Sequence, residues 1–210
     1  MTRVRVAVLV SGTGSILEAM LAEGVPVTVV LADRPCRGLE VAAAAGVATE
    51  LVDRARHGGY GPGFDRHGFT VAVTDALLAH AVDLVAMAGF GTVLGAPVHD
   101  AFPGRILNTH PSLLPAFPGW HPVAEALAAG AGVTGCTVHV ATLEVDAGAV
   151  LAQEEVPVLP GDTEAALHER IKRVERRLYP ATVLAVLHDL EGGRPPGDRR
   201  RAGTVGGVAS

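Results

Sequence analysis

The sequence predicts an α/β fold of the doubly wound, Rossmann-like type, with a mostly parallel sheet and helices on both of its faces. Hydrophobic residues make up 49% of the 210 residues and aromatic residues only 4%, so we expect a core of small aliphatic side chains. Such a composition is typical of strands that are buried on both faces. A second observation is the apolar run at residues 4–10, which leads through glycines into a segment of helical composition. The same alternation of strand and helix recurs along the chain, which favours a parallel sheet.

The remaining elements follow from the apolar runs and the turn residues between them. The run at 25–32 predicts a strand that ends at Asp33, near the place where dinucleotide-binding folds put a ribose-binding carboxylate. Residues 53–63 are rich in Gly, Arg and His and predict a solvated surface loop. Helices are expected at 16–21, 38–45, 64–81, 121–129 and from 163 to 190, and further strands at 47–52, 83–88, 134–141 and 149–158.

Composition and charge limit the class of protein and of partner. The formal net charge of -5 argues against a nucleic-acid partner. No apolar run reaches the ~18 residues needed to cross a bilayer, and the first residues lack the pattern of a cleavable leader, so we expect a cytoplasmic protein without a membrane partner. Cys36 and Cys136 are too few for a disulfide framework. Residues 1–191 are expected to form one domain, and residues 192–210, which lack a hydrophobic period, a flexible tail.

A glycine-rich turn at residues 11–15, Ser-Gly-Thr-Gly-Ser, joins the first strand to the first helix. Glycines permit a tight turn close to a ligand, and the N–H groups at the start of the helix attract anions such as phosphate. On its own, the pattern fits a plain tight connection equally well. It lacks the third glycine of the dinucleotide fingerprint and the lysine of a P-loop. Nucleotide binding of either type, and with it a ribose-binding role for Asp33, is therefore disfavoured.

The stretch at residues 104–121 carries the strongest local signal. Residues 105–107 predict the end of a buried strand, and the prolines that follow stop any further ladder or helix. Because side chains alternate between faces along an extended backbone, Asn108 and His110 share one face and Thr109 takes the other. An amide donor and a titratable imidazole thus meet at the carboxyl end of a strand, where open α/β sheets bind their ligands.

Taken together, these segments resemble one known family, the formyltransferases that use 10-formyltetrahydrofolate. The resemblance rests on the string Asn-Thr-His-Pro-Ser-Leu-Leu-Pro at 108–115, on the glycine turn, and on Asp146 followed by Gly148. It extends from about residue 4 to residue 190. Within the family it is closest to the members that formylate glycinamide ribonucleotide, because the glycine turn, the last helix with Glu175, and the chain length agree with them.

The resemblance implies the formyltransferase fold and transfer of a formyl group from 10-formyltetrahydrofolate, the co-substrate, to the amine of glycinamide ribonucleotide in purine biosynthesis. Both substrates are small molecules, no metal is required, and a monomer or a homodimer is expected. Asn108, His110 and Asp146 would be catalytic. The ribonucleotide would be held by Gly12, Thr13, Gly14, Ser15, Ile16 and Glu175, and the folate by His67, Phe90, Gly91, Thr92, Val93, Leu94 and Val145 together with Asn108 and Asp146.

The chemistry of the transfer accounts for these residue types. Attack of an amine on the formyl carbon develops negative charge on the formyl oxygen, which calls for preorganised donors. Asn108 offers an N–H that does not titrate, and His110 offers a second donor that can move a proton toward the departing folate nitrogen. A carboxylate at Asp146 would stabilise the charged imidazole. The histidines at 57, 80, 99, 139, 168 and 188 lack metal-ligand spacing and are predicted to be structural or exposed.

Four positions depart from the family pattern. Ile16 stands where relatives commonly have Asn, Gly91 replaces a methionine of the folate loop, His67 lies near the position of a folate-contacting arginine, and Ala147 changes the usual Asp-Gly-Gly or Asp-Thr-Gly turn. These departures bear on folate affinity more than on the class of reaction.

Two alternatives to the leading function remain. One is transfer of the formyl group from the same donor to another amine or to water, and the other is a folate-binding module without catalysis.

Overall fold

The computed structural model describes residues 4–196. In this part of the chain, seven strands and six α-helices are joined by turns and by one short 3-10 helix, Arg54–His57. The strands are β1 (Val6–Val10), β2 (Val27–Ala32), β3 (Ala48–Leu51), β4 (Leu84–Met87), β5 (Ile106–His110), β6 (Val133–Val140) and β7 (Val150–Pro157). The helices are α1 (Ser15–Ala22), α2 (Arg37–Ala44), α3 (Arg66–Ala79), α4 (Ala96–Ala101), α5 (Pro122–Ala128) and α6 (Glu164–Glu191).

All seven strands belong to one sheet, in the order β3-β2-β1-β4-β5-β6-β7. The five strands from β3 to β5 in that order run parallel, whereas β6 pairs antiparallel with both β5 and β7. The chain moves outward from β1 to β3 and then returns to the other side of β1 at β4. Ligands of open α/β sheets bind at such a switch point, outside the carboxyl ends of the strands. The predicted doubly wound, mostly parallel α/β fold is confirmed.

Helices cover both faces of the sheet, and β1 shows how the two layers are built. All five of its residues are fully buried. Val6, Val8 and Val10 pack in a cluster with residues of α1 and α6, while Ala7 and Leu9 pack in a second cluster with residues of α3 and α4. A central strand buried on both faces must be apolar throughout, which is why residues 4–10 form a nearly continuous apolar run.

Two segments differ from the elements predicted from sequence. The pattern does not predict α4, because six residues make fewer than two helical turns and Gly95 and Pro97 at its start are typical of a loop. The segment 53–63, expected to be a solvated loop, contains the 3-10 helix, and the Asp53 carboxylate caps it by accepting from the Ala55 N–H at 2.9 Å. This segment also contacts the loop after β4, as described below.

The last helix ends at residue 191, the predicted end of the domain. Helix α6, with 28 residues, ends at Glu191, and the predicted tail at 192–210 lies outside the described residues from 197 onward. Within residues 4–196, no helix combines the length and the apolar character needed to cross a membrane. Cys36 and Cys136 are both free thiols, and Cys136 is buried.

Candidate active site

A cavity of about 430 Å³ opens at the carboxyl ends of β1, β4 and β5, at the switch point of the sheet. Asn108, His110 and Asp146 all line it, so the fold brings the three predicted catalytic residues together. The glycine turn, the loop after β4 and the last helix supply other parts of the wall. The remaining predicted residues that line the cavity are Gly12, Thr13, Gly14, Ser15, Ile16, Phe90, Thr92, Val93, Leu94, Val145 and Glu175.

The turn after β1 presents backbone to the cavity. Gly14 is the N-cap of α1 and has the left-handed conformation with φ 73°. Because it has no side chain, it does not cap the N–H groups of the helix. A Cβ atom at Gly14 would lie 2.8 Å from the Cα atom of Gly38, so only glycine permits this approach of α2. The Ile16 side chain is buried in the core. The groups that this turn offers to an anion are therefore the backbone N–H groups at the start of α1.

Helix α6 contributes three side chains to the cavity: His168, Lys172 and Glu175. Their spacing of four and then three residues places them on one face of the helix. Burial raises the pKa of Glu175 to about 7, although a hydrogen bond with the Thr109 hydroxyl acts in the opposite direction. The family resemblance predicts Glu175 at the site, whereas His168 was expected to be structural or exposed and Lys172 was not expected there. Helical spacing from Glu175 is the signal that could have found them.

Asn108 and His139 face each other across β5 and β6. They are partners in the antiparallel register, and Asn108 Nδ2 lies 3.3 Å from His139 Nε2. His139 Nδ1 lies 3.0 Å from the Val140 carbonyl oxygen, which can only accept, so Nδ1 carries a proton. In the neutral ring, Nε2 can accept from Asn108. His139 was expected to be structural or exposed; it is buried, as a structural histidine would be, and it also lines the cavity.

His110 is held by two oxygen atoms. Its Nε2 lies 2.8 Å from the Phe117 carbonyl oxygen, and its Nδ1 lies 3.4 Å from Asp146 Oδ2. Because a carbonyl oxygen only accepts, Nε2 must donate there. A second proton, on Nδ1, would point at a carboxylate that also only accepts. The Phe117 carbonyl thus fixes a proton on Nε2, and Nδ1 faces the Asp146 carboxylate.

Asp146 connects the two histidines. Its Oδ1 lies 3.5 Å from His139 Nε2, and its Oδ2 accepts from the Gly119 N–H at 2.9 Å in addition to facing His110. Burial by itself raises the pKa of Asp146, but the contact with His139, the hydrogen bond from the Gly119 N–H and the charge of His110 outweigh burial, so the pKa is lowered. Asp146 is therefore an ionised carboxylate at neutral pH.

The turn that carries Asp146 explains the unusual Asp-Ala-Gly sequence. Asp146 has φ 58°, in the left-handed region that Asp tolerates better than most residues. A Cβ atom at Gly148 would collide with the carbonyl group of Val140. Ala147, in contrast, is exposed. The need for glycine thus falls on position 148, and the exposed position 147 has room for the alanine side chain.

Two residues predicted to contact the folate do not line the cavity: Gly91 and His67. The backbone N–H of Gly91 donates to Ser11 Oγ at 2.7 Å. Asp65 caps α3 by accepting from the Gly68 N–H at 2.9 Å, so the helix begins at Arg66 and His67 is exposed on its first turn. The structure therefore does not bring these two residues to the site, in contrast to Phe90, Thr92, Val93 and Leu94.

Trp120, the only tryptophan of the chain, also lines the cavity, although no sequence motif predicts it there. Its side chain is 67% exposed, which places it at the mouth of the cavity. It follows Gly119, whose N–H binds Asp146. His121, the N-cap residue of α5, is not among the residues that line the cavity. Among residues 4–196, no group of three or more His, Cys, Asp or Glu side chains is arranged to hold a metal ion.

Comparison with known proteins gives consistent matches over most of the chain. The model of the formyl transferase family matches residues 4–183. A phosphoribosylglycinamide formyltransferase of Mycobacterium tuberculosis is 50% identical over 187 residues, which cover 87% of this chain and 84% of that protein. The trifunctional purine biosynthetic protein adenosine-3 of Homo sapiens is 38% identical over 191 residues, which cover 88% of this chain but only 18% of that protein.

A solved structure agrees with these sequence matches. The crystal structure of glycinamide ribonucleotide transformylase 1 from Symbiobacterium toebii superposes with a TM-score of 0.82 at 44% identity, covering 88% of each chain. The resemblance predicted from the motifs is confirmed by the matched range, the identities and the shared fold. The chain belongs to the formyl transferase family.

Proposed function

We propose that the chain transfers the formyl group of 10-formyltetrahydrofolate to the amine of 5'-phosphoribosylglycinamide, a reaction of purine biosynthesis. Membership of the formyl transferase family supports this function, as do the names of relatives at 50% and 44% identity. The observation that carries the proposal is the convergence of Asn108, His110 and Asp146 in one cavity, next to a turn that offers N–H groups to an anion. No specific observation favours water or another amine as the acceptor.

Asn108 is proposed to stabilise the oxyanion that develops on the formyl oxygen. The side-chain amide has two N–H groups, and the contact with His139 Nε2 uses one of them. The second is available to the substrate. A donor whose orientation is fixed before the reaction stabilises developing charge without reorganisation in the transition state. This arrangement makes His139 a positioning residue for Asn108.

His110 and Asp146 are proposed to move the proton. The attacking amine loses one proton, and the departing folate nitrogen gains one. His110 can give its proton to the folate nitrogen and regain one from the amine, with Asp146 taking part directly or through a bound water. The lowered pKa of Asp146 keeps the carboxylate ionised, so it remains a hydrogen-bond acceptor for the His110 imidazole during the transfer.

The walls of the cavity suggest how the two substrates are arranged. The phosphate of the ribonucleotide fits the N–H groups at the start of α1 together with Lys172, and Glu175 can accept from hydroxyl groups of the sugar. The folate fits the wall formed by Phe90, Leu94 and Val145. We further propose that no metal takes part, that the chain acts in the cytoplasm as a monomer or a homodimer, and that residues 1–191 form the catalytic domain.

An acceptor panel tests the proposal. With 10-formyltetrahydrofolate as donor, we expect product only when the ribonucleotide is supplied, and not with glycinamide or with water alone. The variants His110→Ala and Asp146→Asn should lower kcat by about 100-fold or more, the size typical of lost proton transfer. His188→Ala, an exposed histidine near the end of α6, serves as the matched control. Unchanged rates in both variants would contradict the proposal, and formate release independent of ribonucleotide would indicate hydrolysis.

A further inference from the structure

The loop at residues 89–94, which supplies one wall of the cavity, is fastened by groups that lie at the ends of three other strands. The Gly91 N–H donates to Ser11 Oγ at 2.7 Å, just after β1. Thr92 Oγ1 donates to Asp33 Oδ2 at 2.7 Å, just after β2, and accepts from Arg54 Nη1 at 2.8 Å, shortly after β3. The position of this wall therefore depends on side chains outside the cavity.

Asp33 is the buried carboxylate that accepts hydrogen bonds from both Arg34 and Thr92. It is 0% exposed, and a buried carboxylate is costly unless it is paired and hydrogen-bonded. Arg34 supplies the charge: its Nε lies 3.1 Å from Oδ1, and its Nη2 lies 3.3 Å from Oδ2. The Thr92 hydroxyl supplies a third hydrogen bond. Asp33 does not line the cavity, so its carboxylate holds the loop rather than a ligand.

Arg54 reaches the same hydroxyl from the segment that was expected to be a solvated loop. Its guanidinium lies 4.2 Å from the ring centroid of Tyr60 and 4.0 Å from that of Phe64, and its Nε donates to the Gly59 carbonyl at 2.8 Å. Stacking on aromatic rings together with hydrogen bonds restricts a guanidinium to one orientation. Nη1 is thereby directed at Thr92.

The departure from the family pattern at Gly91 fits these contacts. A Cβ atom at this position would lie 3.3 Å from Arg34 Nη2 and 3.7 Å from Ser11 Oγ. A side chain here would crowd the guanidinium of Arg34, which is the ionic partner of the buried Asp33. Glycine at position 91 therefore leaves room for Arg34, which neutralises the buried Asp33.

We propose that Asp33, Arg54 and Thr92 form a clamp that fixes the loop 89–94. The three residues thereby act as positioning residues for the formyl donor. The inference rests on the proposed function, because it assumes that the folate binds against the wall formed by this loop. Loosening the clamp would weaken donor binding. It would leave the ribonucleotide much less affected, because the contacts proposed for that substrate lie on α1 and α6.

Two variants test the clamp, one at Arg54 and one at Thr92. Arg54→Met keeps the apolar stem and removes the donor, while Thr92→Val removes the hydroxyl at nearly constant volume. We expect the KM for 10-formyltetrahydrofolate to rise about 5- to 10-fold in each, as for the loss of one net hydrogen bond. The KM for the ribonucleotide should change much less, and Thr92→Ser should restore the donor KM. Arg56→Met is the control, because Arg56 is exposed and has no ion pair or side-chain hydrogen bond within residues 4–196.

The outcomes separate the clamp from the proposed function. A rise of equal size in both KM values for Arg54→Met, or a donor KM that matches the wild type in both variants, would overturn the clamp. If the wild type showed no turnover, the proposed function would be contradicted instead. Donor affinity measured by the fluorescence of Trp120 would then still decide on the clamp, since this measurement needs no reaction. Should Thr92→Val fail to fold, Arg54→Met carries the test.

Discussion

Single side chains in the cavity are oriented by their neighbours. Asn108 is held by His139, His110 by the Phe117 carbonyl, and Asp146 by the Gly119 N–H. These contacts link the proposed catalytic residues into one network, because Asp146 also faces both histidines. Residues that act as a unit have effects that do not add, so single variants should each lose a large part of the activity.

The variant Asn108→Ala tests the proposed oxyanion donor. Removing one such donor typically costs about 2.7–4 kcal/mol of transition-state stabilisation, so kcat should fall by roughly 100- to 1000-fold. The KM values should change little, because the charge on the formyl oxygen develops only in the transition state. Steady-state kinetics with both substrates varied would measure this, with circular dichroism to confirm folding. A loss of kcat smaller than about fivefold would contradict the role of Asn108 as an oxyanion donor.

Residues of the site differ in how far the sequence could predict them. Asn108 and His110 could be placed on one face because the alternation of side chains along a strand is a local property. His139 could not be placed, because its contact with Asn108 depends on the antiparallel register of β5 and β6. Trp120 owes its place to a turn that is held by Asp146 from another part of the chain.

Among the elements, the turn between β1 and α1 shows what glycine contributes. Gly14 combines a left-handed backbone with a close approach to Gly38, whereas a Cβ atom at Gly12 would meet no atom within 4 Å. The two glycines look alike in the sequence, but only Gly14 has a left-handed backbone and packs against α2. Packing also matters for α4, which the sequence pattern does not predict and which contacts α3 in the fold.

Gly14→Ala should disrupt this turn, and Gly24→Ala provides a matched control. Both glycines have positive φ, 73° and 78°, but a Cβ atom at Gly24 would meet no atom within 4 Å. The left-handed conformation alone costs an alanine ~1–2 kcal/mol. Gly14→Ala should lower the free energy of unfolding by at least about 1 kcal/mol more than Gly24→Ala, because α2 must also move. Urea unfolding measures the difference.

The same pair of variants tests the proposed anion site. The KM for the ribonucleotide should rise in Gly14→Ala only, since the N–H groups at the start of α1 would shift. Equal unfolding free energies for the two variants would show that the contact with Gly38 does not constrain the turn. An unchanged KM would show that the turn does not bind the phosphate.

For the whole molecule, the fold class could be predicted and the arrangement of the strands could not. Alternating strands and helices imply a parallel sheet, and the apolar β1 implies burial on both faces. The position of β1 beside β4 and the antiparallel pairing of β6 and β7 depend on contacts between distant segments. These long-range pairings bring α6 to the cavity, and with it the half-buried carboxylate of Glu175.

Glu175 should make the stability of the protein depend on pH. Burial raises its pKa from 4.5 to about 7. A raised carboxyl pKa favours folding fully below the unfolded pKa, and this contribution is lost as the pH rises through the folded pKa. The free energy of unfolding of the wild type, relative to Glu175→Gln, should therefore fall between pH 4.5 and 7 by up to about 3 kcal/mol and level off above pH 8. Urea unfolding of both proteins across this range measures the difference, with the exposed Glu191→Gln as control. Parallel pH profiles for the wild type and Glu175→Gln would show that the carboxyl group is not desolvated in the folded protein.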